Sequence, residues 1–170
     1  MNENRASIFT VENAHITYRN FSGEARQYNN AGNRNFNLIL NPEQARMFEE
    51  VGFRVRERSG KDGHKDDAIF LLQVNVSYKY RPPKVVVIRN RKKTPLTEET
   101  ISELDYADIE YIDLTIRPYH WRMPDGRTGV KAYLNSMYVT LVDDPFEDKY
   151  YGPEDEIEAD FAVEDEETPF

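Results

Sequence analysis

Residues 110–117 read EYIDLTIR, and residues 129–142 read GVKAYLNSMYVTLV. In the first stretch Ile112, Leu114 and Ile116 alternate with Tyr111, Asp113, Thr115 and Arg117. A strand turns successive side chains to opposite faces, so this period of two predicts a half-buried strand with the aliphatic residues inward. The second stretch keeps the period but shifts phase, from Ala132 and Leu134 to Met137, Val139 and Leu141. An extra residue in a strand has that effect, so a bulge is expected near Ser136. Residues 118–128 between them read as a hairpin connection.

The same period recurs on either side of this pair. Residues 8–21 read as a first strand, bulged because its alternation is uneven. The Gly- and Asn-rich residues 22–33 read as a loop. Residues 34–40 form a second strand, with Phe36, Leu38 and Leu40 on one face. A helix then starts at Pro42. Asn41 caps it, Gln44 completes a capping box, Ala45, Phe48 and Val51 make its apolar stripe, and Gly52 ends it. Strand is expected again over 53–56, with a polar loop over 58–67.

Residues 68–80 are the longest strand run, with Phe70, Leu72, Val74 and Val76 inward. Tyr78 and Tyr80 continue that inward phase and read as core or rim. Arg81-Pro82-Pro83 breaks the run. A short strand over 85–88 precedes the basic run 89–93 (RNRKK), and a short helix follows Thr97, with Leu96 and Ile101 as its staple. The expected fold is mainly β: an OB-fold-like five-stranded barrel with one or two short helices and a disordered acidic C-terminal tail. A jelly roll or other sandwich is the second choice. The domain occupies residues 1–144 and the tail residues 145–170.

Charge divides the same way. Residues 143–170 hold thirteen Asp+Glu and one Lys, a net of −12, whereas residues 1–142 hold 21 Lys+Arg and 18 Asp+Glu, a net of +3. The total of −9 therefore conceals a mildly basic body. Such asymmetry points to a nucleic-acid-binding body or an interaction tail; the plain alternative is a solubilising end. There is no cysteine, hence no disulfide framework. The opening MNENRASIF lacks the apolar stretch of a signal peptide, and no run nears the roughly 20 apolar residues of a membrane helix. A soluble, cytoplasmic protein without membrane contact is expected.

Proteins that hold single strands stack bases on aromatic rings and follow phosphates with Lys and Arg. Arg117, Tyr119, Trp121 and Arg122 crowd into six residues, and Lys131 and Tyr133 lie on the polar face of the strand expected to pair with them. For Trp121, binding and packing over a barrel end stand level; its basic neighbours favour binding. Tyr18, Arg19, Phe21 and Arg34 form a second group around the first loop. The basic run 89–93 suits phosphates or solvent equally. In the tail, Phe170 beside its own carboxylate suits a pocket with an apolar floor and a basic rim.

The tail tip, residues 164–170 (EDEETPF), resembles the acidic tip of bacterial single-stranded DNA-binding proteins, with Glu for Asp and Thr168 for Ile. The body is similar to phage-encoded single-stranded DNA-binding proteins of OB fold. The likeness rests on Asn20–Gly23, Gly32–Phe36, Leu104–Asp108, Asp113–Tyr119 and Gly129–Leu134. This resemblance implies protection of exposed DNA in replication, recombination and repair. It also implies docking of a polymerase, helicase-primase, recombinase or nuclease through Asp165, Glu166, Glu167, Pro169 and Phe170; a homodimer is compatible with it. The rivals are a phage assembly component and a single-stranded RNA binder.

Enzyme chemistry has little support. His15, His64 and His120 lack metal-ligand spacing, and neither a Gly-rich phosphate loop nor a nucleophile pattern is present. No catalytic residue, cofactor or metal is expected.

Overall fold

The computed structural model describes residues 7–58 and 68–150. Among these the chain is mainly β, with nine strands in one sheet. The strands are β1 (Phe9–Val11), β2 (His15–Asn20), β3 (Arg34–Leu40), β4 (Arg56–Arg58), β5 (Ile69–Val76), β6 (Lys84–Arg89), β7 (Lys92–Leu96), β8 (Ile109–Arg122) and β9 (Thr128–Leu141). Helix α1 (Pro42–Val51) follows β3, a 3₁₀ turn (Ile101–Asp105) precedes β8, and a four-residue helix α2 (Glu147–Tyr150) follows β9.

The main path runs β1-β8-β9-β5-β3-β2, with β4 added to β5 and the β6–β7 hairpin added to β9. The path begins on β1 and ends on β2, the two halves of one chain segment, so it carries the expected OB-like set of five, left unbonded between those halves, with β4, β6 and β7 added to it. The sheet forks on β9. Along one edge β9 pairs with β8 throughout. Along the other it pairs in parallel with β5 at Ala132 and Tyr133, then with β6 from Ser136 to Thr140. The β8–β9 register slips between Thr115 and Ile116, so Asn135 is the extra residue. The expected bulge is therefore present, and it marks the point where β9 changes partner.

Alternation places Phe36, Leu38, Leu72, Val74, Ile112, Leu114, Ile116, Leu134, Met137 and Val139 in one buried core. Helix α1 lays Ala45 and Phe48 on it, and Phe9, Phe48 and Phe53 meet edge to face at 5.5–5.7 Å. The capping box forms as expected: Gln44 N donates to Asn41 Oδ1 at 2.7 Å, and Asn41 N donates to Gln44 Oε1 at 3.0 Å. Gly52 closes the helix at φ 115, a left-handed conformation glycine adopts without strain.

Several expectations need correction. The first strand divides into β1 and β2, since Asn13 takes φ 53 between them. The strand expected at 53–56 begins only at Arg56. The basic run 89–93 is no open loop: Asn90 and Arg91, at φ 50 and 68, make the tight turn joining β6 to β7. The short helix starts at Ile101 and is a 3₁₀ turn, although Leu96 and Ile101 are buried as expected. Strand β8 continues through Pro118 to Arg122. Pro118 is tolerated there because β1 pairs only with Leu114–Ile116, leaving that side of β8 open where the N–H is missing.

Candidate nucleic-acid interface

Because β8 runs to Arg122, the aromatic and basic group of residues 117–122 lies on a strand rather than in a loop. Cross-strand partners are Arg117 with Tyr133, Tyr119 with Lys131, and Trp121 with Gly129. The core takes the even-numbered Ile116 and Pro118, so Arg117, Tyr119, Trp121, Lys131 and Tyr133 share the outer face. Arg122 alternates to the other face, opposite Thr128, and does not join them. The rings form a connected set: Tyr119 meets Tyr133 edge to face at 5.9 Å, and the Arg117 guanidinium stands 5.6 Å from the Tyr133 centroid. One side of the Trp121 ring is packed. A Cβ on Gly129 would lie 2.4 Å from Trp121 Cζ2, so only glycine leaves room for the indole there.

The outer face continues across the sheet. Tyr133 pairs with Asn75 on β5, and Asn75 pairs with Asn35 on β3. One row therefore crosses four strands: Arg117, Tyr133, Asn75, Asn35. Beside it lies an open groove of about 620 Å³, bordered by Arg34, Tyr78, Gln73, Asn75, Lys131 and Tyr133. Asn75 Nδ2 donates to Ala132 O at 3.2 Å and Asn35 Nδ2 to Asn29 Oδ1 at 3.0 Å, which fixes both amides on the groove floor. Arg34 stands 5.6 Å from the Tyr78 ring centroid. Tyr78, expected in the core or at its rim, is half-buried along this groove, where β5 ends at Val76 and releases the phase; Tyr80, with the same expectation, is instead fully at the surface, 83% exposed.

Electrostatics single out two of these groups. Burial pulls the Arg117 guanidinium below its ordinary pKa, the like charge of Arg81 adds to the shift, and Tyr133 opposes it. Arg117 is thus a cation with little counter-charge, which a phosphate would supply. Burial raises the Tyr78 hydroxyl pKa, with Arg34 opposing. That hydroxyl is buried and has no hydrogen-bond partner among the described residues. Sequence reasoning missed Gln73 and Asn75. Their signal was present, as polar residues between Leu72, Val74 and Val76, in the outward phase of the same strand.

The group around the first loop separates. Phe21, expected to face DNA, is 0% exposed and stacks on Phe36 at 5.3 Å. The β2 register slips between Thr17 and Asn20, with Tyr18 at φ 53, and this turns Phe21 inward. Arg19 is occupied structurally: its Nη1 donates to Leu104 O at 2.8 Å and Ala107 O at 2.9 Å. Asp105 completes this joint by accepting from Phe21 N at 2.5 Å and Ser22 N at 3.1 Å. Tyr18 stays 56% exposed, beside the Arg58 guanidinium, away from the groove lining. Arg34 reaches the groove while its Nε donates to Phe21 O at 3.0 Å and its Nη1 meets Glu98 at 3.3 Å.

Residues after β9 fold against the β6–β7 turn. Asn90 N donates to Asp143 Oδ1 at 2.8 Å, and the Asn90 side chain bonds the Asp144 backbone twice, at 3.0 and 3.2 Å. Glu147 is 7% exposed; it contacts Lys92 and lies 4.0 Å from Arg89. The tail residues Asp165, Glu166, Glu167, Pro169 and Phe170 lie outside the described residues.

Comparison with known proteins adds the family. No curated protein matches the chain. Among solved structures, the single-stranded DNA-binding protein from bacteriophage Enc34 in complex with ssDNA is similar at 14% identity, with a TM-score of 0.51, over 82% of this chain and 89% of that one. The single-stranded DNA-binding protein gp2.5 encoded by bacteriophage T7 aligns at 13% identity, with a TM-score of 0.41, over 97% of this chain and 100% of that one. At such identities the Enc34 likeness speaks for a shared fold. The family model described as a putative phage ssDNA-binding domain matches residues 2–170, and the chain belongs to that family.

Proposed function

We propose that the outer face of β8, β9, β5 and β3 holds single-stranded DNA without regard to sequence, protecting it during replication, recombination and repair. The observation that carries this reading is the row Arg117, Tyr133, Asn75, Asn35, whose last three members line one groove with Arg34 and Lys131 while Arg117 stands beside it over Tyr133. Bases stack on Tyr133 and Tyr119, phosphates meet Arg117, Lys131 and Arg34, and the floor amides offer a donor and an acceptor to any base edge. Membership of the family supports the choice of DNA.

Oligo-dT is the test. Trp121 sits two residues beyond Tyr119 on the same face, so its fluorescence should quench as the strand binds. The affinity should fall with salt, with a log–log slope of about −0.7 for each phosphate neutralised. Absence of both quenching and gel retention would refute the reading. Tighter binding to a matched RNA oligomer would favour the RNA-binding rival instead.

For the tail we infer two roles. The acidic tip Asp165–Glu167 with Pro169 and Phe170 docks partner proteins of replication and recombination. At low salt the same negative chain competes with DNA for the basic groove, an attraction that screening weakens. Deleting residues 164–170 should tighten DNA binding at low salt and abolish partner pull-down. Weaker DNA binding after the deletion would contradict the competition.

A further inference from the structure

The outer face does not end at Tyr133. Residues 111, 113, 115, 117 and 119 of β8 alternate outward without interruption, since Ile112, Leu114, Ile116 and Pro118 are all buried. Beyond the Asn135 bulge β9 recovers the same face: Ser136 pairs with Thr115 and Tyr138 with Asp113. The hydroxyls of Thr115 and Ser136 lie 2.6 Å apart and bridge the bulge. On the neighbouring β6, Lys84 pairs with Ser136 and Val86 with Tyr138.

Lys84 Nζ stands 5.7 Å from the Tyr138 ring centroid, and Tyr138 is 38% exposed. This repeats the Arg117–Tyr133 arrangement, a cation over an outward tyrosine. Four residues of β8 separate Asp113 from Arg117, about 13 Å at ~3.3 Å per residue. Asp113, the cross-strand partner of Tyr138, is held at the turn between β1 and β2, where its Oδ1 accepts from Asn13 N at 2.9 Å.

Resting on the reading of the groove given above, we propose that Lys84 and Tyr138 form a second stacking and phosphate subsite, reached by the same DNA strand as it runs along β9 away from the groove. Continuity of the face and the Lys84 cation over an exposed ring argue for DNA here. The stripe ends beyond Tyr138, because Asp143 and Glu147 occupy the β6–β7 turn with Arg89 and Lys92.

The subsite adds length, so its test is length. Labelled oligo-dT of increasing length is titrated into the full chain, wild type and Tyr138→Ala, by anisotropy. OB-type sites span about 4–16 nucleotides. Oligomers near the lower bound should bind both proteins alike. Those near the upper bound should bind the variant about 5- to 150-fold more weakly, the loss of one stack. Lys84→Gln checks the same point without removing a ring: its salt slope should shrink by about 0.7, for long oligomers only. Variants that match wild type at every length would overturn the subsite, as would an equal loss at every length. If wild type itself retains no oligomer, the groove reading fails first and takes the subsite with it.

Discussion

Phe21→Ala is expected to lower the free energy of unfolding by about 3–5 kcal/mol, the usual cost of emptying a phenylalanine site in a packed core. Phe21 is fully buried, its ring stacks on Phe36, and nothing near it collapses easily: the backbone on both sides is held by Asp105 and Arg34. Urea unfolding measures the loss as a lower midpoint at an unchanged slope. At temperatures where the variant stays folded, oligo-dT affinity should hold within about twofold, since the ring presents no face to a base. Wild-type stability with lost affinity would return Phe21 to the DNA-facing loop.

The second large effect falls on binding. Tyr133→Ala should weaken oligo-dT binding by about 1–3 kcal/mol, roughly 5- to 150-fold, with a smaller change in unfolding midpoint. Tyr133 lies at the meeting of both parts of the interface: Arg117 and Tyr119 pack on it from β8, and Asn75 stands beside it on β5. Removing the ring also frees Arg117 from its partner, so the loss should sit at the high end of that range. Tyr133→Phe should restore most of the affinity, because stacking needs the ring and not the hydroxyl. Equal affinity for Tyr133→Ala and wild type would move the interface elsewhere.

The contrast between these two positions shows where sequence reasoning reaches. The outward phase of Tyr133 was legible because Ala132 and Leu134 flank it in a clean alternation, and burial enforces that alternation. The bulge at residue 135 was legible for the same reason, as a slip in the apolar phase. Phe21 was not legible. A left-handed residue at Tyr18 and a register slip changed the phase just ahead of it, and neither leaves a trace in residue type. The roles of Arg19 and Asp105 depend on partners more than 80 residues away. The groove fell between these cases: its faces were readable strand by strand, but the strand order was not. Only the placement of β5 between β3 and β9 brings Arg34 and Lys131 to one groove.

Strand β9 has three partners, β8, β5 and β6, and it follows all of them in the chain. During synthesis β5 and β6 must therefore wait, each with an edge that nothing upstream can fill. Their long-range parallel pairings can close only after residue 132 has emerged, so assembly is late and dominated by distant contacts. Until then two apolar strands stand open to any neighbouring chain. Crowded ribosomes making this protein in quantity would meet that hazard most sharply. A chain stopped short of β9 would be expected to aggregate rather than to form a smaller working domain.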